Sequence, residues 1–376
     1  MRVCGVMSGT SLDGIDVAII DIRRSRRIQP VAFRSVPYPK AVRAALLSVS
    51  NTMTHTAAIS RLNFLLGELY AEAIRETCRR ARIPLSSVDL CGLHGQTIFH
   101  EGDPVEYLGR CVASTLQIGE STVVAERTGI ITISNFRERD IAAGGKGAPL
   151  VPFVDYKLFR SARYGRLAIN IGGIANLTAI PAGAAPKDIF AFDIGPGNMV
   201  IDGLVAHYTN GRQTFDRNGR IARSGTVNRK LLDAMLSDPY FFRRPPKTCG
   251  REQFGQDFVN GLIATGLPLP DLIATATELT AVEIEHAVIG STRTQQGWRD
   301  LIFSGGGVHN KWLMRRIGEL LPEFAISTSA AFGIHPDAKE AIAFAVLAYY
   351  SFTRESTNLP LATGARRAVP LGKVTR

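Results

Sequence analysis

Asp193 is the side chain best placed for acid–base chemistry. It ends the apolar run Ile189-Phe190-Ala191-Phe192 and precedes Ile194-Gly195-Pro196-Gly197-Asn198. A carboxylate at the mouth of a buried strand, followed by a rigid Gly-Pro-Gly turn, can accept a proton from water or a sugar hydroxyl. The plainer alternative is a turn or helix-capping aspartate. Asn198, closing the same turn, is placed for contact with the substrate.

Anion binding is the second chemistry on offer, from three glycine-rich turns. Gly9-Thr10-Ser11-Leu12-Asp13-Gly14-Ile15-Asp16 presents backbone N–H groups and hydroxyls for phosphates, with carboxylates able to hold Mg²⁺ through water. Read blandly, Asp13-Gly14 is an ordinary turn dipeptide. Gly172-Gly173-Ile174-Ala175-Asn176 repeats the pattern in the second half of the chain. Ser304-Gly305-Gly306-Gly307-Val308-His309-Asn310 leads from a strand into a helix, which lets a nucleotide approach the backbone. ATP with Mg²⁺ is the cofactor these turns predict. By contrast, Gly144-Gly145-Lys146-Gly147-Ala148-Pro149 lacks the Walker spacing and runs into proline. It reads as a flexible hinge or a wall of the cleft.

Polar clusters at two strand ends supply hydrogen bonds suited to a polyol with an anionic substituent. His94, Gln96 and Thr97 follow an expected strand at 88–93, and Arg139-Asp140 follows one at 130–134. In open α/β sheets the residues past the strand C-termini line the ligand crevice. The structural alternatives are a core histidine and an Arg139–Asp140 ion pair. Glu340 opens an apolar helix at 341–352, where its charge would equally suit the helix N-terminus.

The elements that must position these groups follow from apolar spacing. A strand, a glycine-rich turn and a second strand occupy 3–22, and the same unit returns at 167–180. Residues 57–81 carry Ile59, Leu62, Leu66, Leu69 and Ala73 at helical spacing. Leu313, Ile317, Leu320 and Leu321 mark one face of the helix after the triple glycine. Two similar α/β halves with a ligand between them are the expected plan.

Composition narrows the function classes. A chain of 376 residues, 45% hydrophobic and 20% charged, suits two globular domains. The start lacks the pattern of a secretion signal, and the apolar stretch 341–352 is too short to span a bilayer, so no membrane partner is expected. Five scattered cysteines without a CxxC pair predict no disulfide framework or zinc site, and a reducing cytoplasm. The net charge of +11 sits in small groups without interleaved aromatics, so no nucleic acid is expected either.

Taken together, the ordered motifs resemble those of the anhydro-N-acetylmuramic acid kinase family, within the sugar kinase, Hsp70 and actin superfamily. Met7-Ser8-Gly9-Thr10-Ser11-Leu12-Asp13-Gly14, His94-Gly95-Gln96-Thr97, Phe136-Arg137-Glu138-Arg139-Asp140 and the stretch up to Pro149-Leu150-Val151-Pro152 come first. Asn170-Ile171-Gly172-Gly173-Ile174-Ala175-Asn176, Phe192-Asp193-Ile194-Gly195-Pro196-Gly197-Asn198, Gly250-Arg251-Glu252, Ser304-Gly305-Gly306-Gly307, Asn358-Leu359-Pro360 and Thr363-Gly364-Ala365 follow in family order. The resemblance implies a kinase that opens the 1,6-anhydro ring with water and phosphorylates the freed O6 from ATP, giving N-acetylmuramic acid 6-phosphate in peptidoglycan recycling. Asp193 matches the family's general base, Gly9 to Asp16 its ATP-binding turn, and Thr97, Arg139 and Glu340 its sugar contacts. A homodimer is the family expectation.

Two RNase H-like, actin-like ATPase domains with a central interdomain cleft are therefore expected, at 1–140 with 345–376 and at 141–344. Departures from the family pattern are a longer loop between His100 and Gln117, Cys249 at a small-hydroxyl position, and the basic end 366–376. The rival readings are a kinase for another anhydro or ordinary sugar, and a non-catalytic actin- or Hsp70-like ATP switch.

Overall fold

The computed structural model describes residues 1–9, 12–245, 247–293 and 297–376. Thr10 and Ser11 of the first glycine-rich turn lie outside the described residues. The chain forms two compact units, 1–154 with 338–376, and 155–337.

In the first unit, β1 (Arg2–Ser8), β2 (Gly14–Ile22) and β3 (Ile28–Pro37) form an antiparallel meander. β4 (Leu90–Tyr107) joins β1 in parallel, pairs with β5 (Arg110–Ile118) as a hairpin, and is flanked in parallel by β6 (Ile131–Ser134). In the second unit, β7 (Gly165–Ile171), β8 (Ile174–Ile180) and β9 (Phe190–Pro196) repeat the meander. β10 (Trp298–Ser304) and β11 (Ala325–Thr328) extend it in parallel. The chain then returns to the first sheet and adds β12 (Lys373–Thr375) beside β6. The orders β3-β2-β1-β4-β6 and β9-β8-β7-β10-β11 are one path used twice. Two RNase H-like α/β units are the fold.

Strand alternation sorts the faces of the first sheet. Cys4 and Val6 of β1 pack in one core with Leu66, Tyr70 and Ile74 of the helix Thr56–Arg80. Gly5 points the other way, toward the helix Lys339–Phe352 that carries Glu340. Gly5 is paired in register with Gly92 of β4. A Cβ on Gly5 would overlap the Ala341 carbonyl, and one on Gly92 the Phe344 carbonyl. The two glycines therefore open the slot into which this alanine-rich helix backbone settles.

Three sequence expectations change in detail. The strand expected to stop before His94 continues to Tyr107, and the long loop from His100 to Gln117 is the β4–β5 hairpin. Its tip, Leu108 (φ 50°) and Gly109 (φ 76°), holds both central residues at positive φ, the two-residue turn that matches strand twist. Arg139 and Asp140, expected just past a strand at 130–134, lie within the helix Phe136–Ala142.

The second unit carries a helical insertion after β9. Val200, Leu204, Leu272, Ile273 and Leu279 form its core, between the helices Asn198–Tyr208 and Leu269–Thr292. Thr280 Oγ1 donates to the Pro196 and Gly197 carbonyls at 3.0 and 3.1 Å, bracing the turn after Asp193.

Candidate functional site

In the second unit a polar row crosses the sheet. Ser304, Asn170, Asn176 and Asp193 are successive register partners on β10, β7, β8 and β9, so their side chains share one face. Ser304 Oγ donates to Asn170 Oδ1 at 3.2 Å. The turn Gly172-Gly173 is stitched to the next one: Gly197 N donates to Gly173 O at 2.9 Å and Asn198 N to Gly172 O at 2.8 Å. Asn198 Nδ2 lies 3.4 Å from Ile171 O. Gly305, at φ 82°, passes so close that a Cβ would sit 2.7 Å from Asn170 Oδ1 and from Ile171 O. A Cβ on Gly306 would meet only Asn198 Nδ2, at an ordinary 3.9 Å. Asn310 is the N-cap of the helix Lys311–Leu320, its Oδ1 accepting from Leu313 N at 3.0 Å.

Asp193 is gripped by a strap from the insertion. Its N–H donates to Lys247 O at 3.0 Å, and Cys249 N–H donates to its Oδ2 at 3.2 Å. Tyr240 OH donates to its carbonyl at 2.6 Å. Burial pushes the Asp193 carboxyl up to about 7, the Cys249 amide opposing, the Glu252 carboxylate reinforcing and the Lys247 ammonium opposing. A carboxyl poised there exchanges its proton near neutral pH, as a general base requires. No local pattern in the sequence links the strap to Asp193.

In the first unit the Gly9 turn is tied to β4. Gln96, fully buried, donates from Nε2 to Gly9 O at 3.2 Å, while its buried Oε1 has no partner among the described residues. Ser8 Oγ and Tyr70 OH are 2.7 Å apart. Leu12 is buried at φ 59°, its N–H donating to Gly9 O at 3.2 Å. Gly14, Ile15 and Asp16 already belong to β2 and pair with Pro37, Val36 and Ser35. Asp13 is exposed, 3.8 Å from Arg43. Among the described residues no three His, Cys, Asp or Glu cluster as a metal cage. Mg²⁺ needs none, since one or two carboxylates with phosphate and water oxygens suffice, and the half-buried Asp16 fits that pattern.

Beside this turn the structure brings together His94, Arg137 and Glu340. Arg137 donates from one terminal nitrogen to His94 Nε2 at 2.9 Å and from the other to Gly147 O at 2.8 Å. A guanidinium cannot accept, so His94 Nε2 is the acceptor and the ring is neutral. Consistently, burial and then the Arg137 charge lower His94 to about 3. Burial also lowers Arg137 to about 10, with the Glu138, Glu340 and Asp140 carboxylates opposing, so it stays a cation at neutral pH. Arg139, by contrast, is exposed on the same helix. Thr97 Oγ1 accepts from Gln117 Nε2 at 3.2 Å. Asp140 does not pair with Arg139; it is fully buried among hydrogen-bond donors. Arg137 thus joins the candidate site, although the sequence reading of this cluster names only Arg139 and Asp140.

Comparison with known proteins follows the same direction. The model of the family described as anhydro-N-acetylmuramic acid kinase matches residues 1–376. An anhydro-N-acetylmuramic acid kinase of Caldanaerobacter subterraneus subsp. tengcongensis is 42% identical over 381 residues, covering 99% of this chain and 96% of that one. One of Salinibacter ruber is also 42% identical, with the same coverage. Among solved structures, the (R)-2-hydroxyglutaryl-CoA dehydratase component A of Acidaminococcus fermentans is similar at a TM-score of 0.47 and 14% identity, covering 94% of this chain and 100% of that one.

Proposed function

We propose, from the premise that the chain belongs to the anhydro-N-acetylmuramic acid kinase family, that it opens 1,6-anhydro-N-acetylmuramic acid with water and phosphorylates the freed O6 from ATP. Its product is N-acetylmuramic acid 6-phosphate, and its place is peptidoglycan recycling. The observation that carries the reading is Asp193, a carboxyl within β9 raised to about 7 and held by the Cys249 amide.

In this reading Asp193 takes a proton from the attacking water. The water oxygen bonds to C1, the C1–O6 bond breaks, and O6 takes the γ-phosphoryl group as ADP departs. Gly9, Leu12–Asp16, Gly172, Gly173, Asn176 and the Gly305–Gly307 loop serve the nucleotide, with Thr10 and Ser11 assigned from the sequence alone. Asn310 supports that loop as the cap of the following helix. Asp13 and Asp16 would hold Mg²⁺, which when bound offsets phosphate charge. His94, Gln96, Thr97, Arg139, Asn198 and Glu340 serve the sugar. Arg137 joins them as the buried cation for an anionic substituent.

Among the described residues no helix is long and apolar enough to cross a membrane. All five cysteines are free, which supports a cytoplasmic protein. A homodimer is the proposed assembly, measurable by sedimentation.

The test is ADP release from ATP with and without the anhydro sugar, with the product weighed by mass spectrometry. Sugar-dependent ADP and a product heavier by water plus a phosphoryl group support the assignment. Release that ignores the sugar would favour an ATP switch, and turnover only with other sugars would favour a different sugar kinase.

A further inference from the structure

Asp140 is fully buried in the helix Phe136–Ala142, yet its carboxylate has no basic partner within ion-pair distance among the described residues. It accepts three neutral donors instead. Asn358 Nδ2 and Thr363 Oγ1 reach Oδ1 at 2.7 and 2.8 Å, and Gly147 N reaches Oδ2 at 2.8 Å. The surrounding backbone closes the network: Gly145 N donates to Asp140 O at 2.9 Å, Lys146 N to Thr363 O at 2.8 Å, and Arg366 N to Ala143 O at 3.0 Å. A Cβ on Gly145 would overlap Asp140 Oδ2, so the glycine loop lies directly on the carboxylate. The segment 144–147 is therefore pinned, not the flexible hinge that its composition suggests.

Gly147 is held from both sides, its N–H by Asp140 and its carbonyl by Arg137. Arg137 in turn fixes His94. We propose that Asp140 is a positioning residue for the kinase reaction: with Asn358 and Thr363 it anchors Gly147, and through Gly147 it sets the Arg137–His94 pair that receives the sugar. This rests on the sugar-binding role proposed above for His94 and Arg137. A carboxylate suits the task because it presents only acceptors to three converging donors. An amide would turn a donor toward at least one of them.

The test compares wild type, Asp140→Asn, Thr363→Val and Thr363→Ser in sugar-dependent ADP release. KM for the anhydro sugar and for ATP are measured separately, with thermal midpoints alongside. Loss of a hydrogen bond to a buried charge predicts a sugar KM raised about tenfold or more in Asp140→Asn. The ATP KM should stay unchanged. Thr363→Val should move the sugar KM less, in the same direction, and Thr363→Ser, which keeps the hydroxyl, should restore it. If Asp140→Asn does not fold, the Thr363 pair decides. A lowered midpoint with an unchanged sugar KM, or equal rises in both KM values, would overturn the proposal. A wild type without sugar-dependent turnover would refute the activity itself and this inference with it.

Discussion

The two sheets follow one path, but burial on their polar faces acts on opposite charges. In the first unit it drives His94 down to about 3, and the neutral ring accepts from a cationic Arg137 that several carboxylates support. In the second unit it drives Asp193 up to about 7, against one amide and one nearby ammonium. Burial removes whichever charge is least compensated. Where a cation keeps its carboxylates, the outcome is a fixed charge suited to binding. A carboxyl held by one amide instead becomes a group that titrates near neutrality.

The sharpest way to break this contrast is to remove each group. Asp193→Asn should lower sugar-dependent kcat by roughly 10²- to 10⁴-fold, the usual contribution of a positioned base. Arg137→Lys should instead raise the sugar KM about tenfold or more, because an ammonium cannot serve both His94 and Gly147 O with a planar fork. If both variants changed only kcat, the division between binding and proton transfer would fail.

Thermal midpoints sharpen the contrast through pH. Asp193 has a folded pKa above its ordinary 3.8, so the stability it leaves intact below that value is lost as pH rises toward 7. Asp193→Asn should therefore gain over wild type across that window, by at most on the order of 4 kcal/mol. His94 has a folded pKa below its ordinary 6.5, so stability falls as pH drops from there toward 3. His94→Gln should flatten that acid limb. Equal pH slopes in the two variants would contradict the contrast. The smallest effect is expected at Cys249→Ser: the backbone N–H, not the weakly bonding thiol, holds Asp193, so kcat should change within about twofold.

Much of the first unit's site is legible because apolar runs locate β1 and β4, with His94 and Gln96 on β4 and Gly9 just past β1. The choice between Arg137 and Arg139 is not. Residues two apart on a helix point about 200° away from each other, so one arginine turns inward and the other out. Even with 136–142 taken as a helix, Arg137 and Arg139 lie about 80° to either side of the buried face set by Phe136 and Asp140, so the pattern alone does not choose between them. In the second unit Asp193 was legible from its strand and the Gly-Pro-Gly turn. The strap was not, since Lys247 and Cys249 reach it through backbone atoms, which any sequence supplies. The hairpin tip carries no sequence signal, because leucine, not asparagine, occupies the first positive-φ position at Leu108.

The pH dependence of kcat/KM for the anhydro sugar, at saturating ATP, tests the central claim most directly, since it reports the essential base of the enzyme before the sugar binds. The account predicts a fall of about tenfold per pH unit below a break near 7, and a plateau above it. A profile with no break between about pH 5 and 9 would contradict Asp193 as that base.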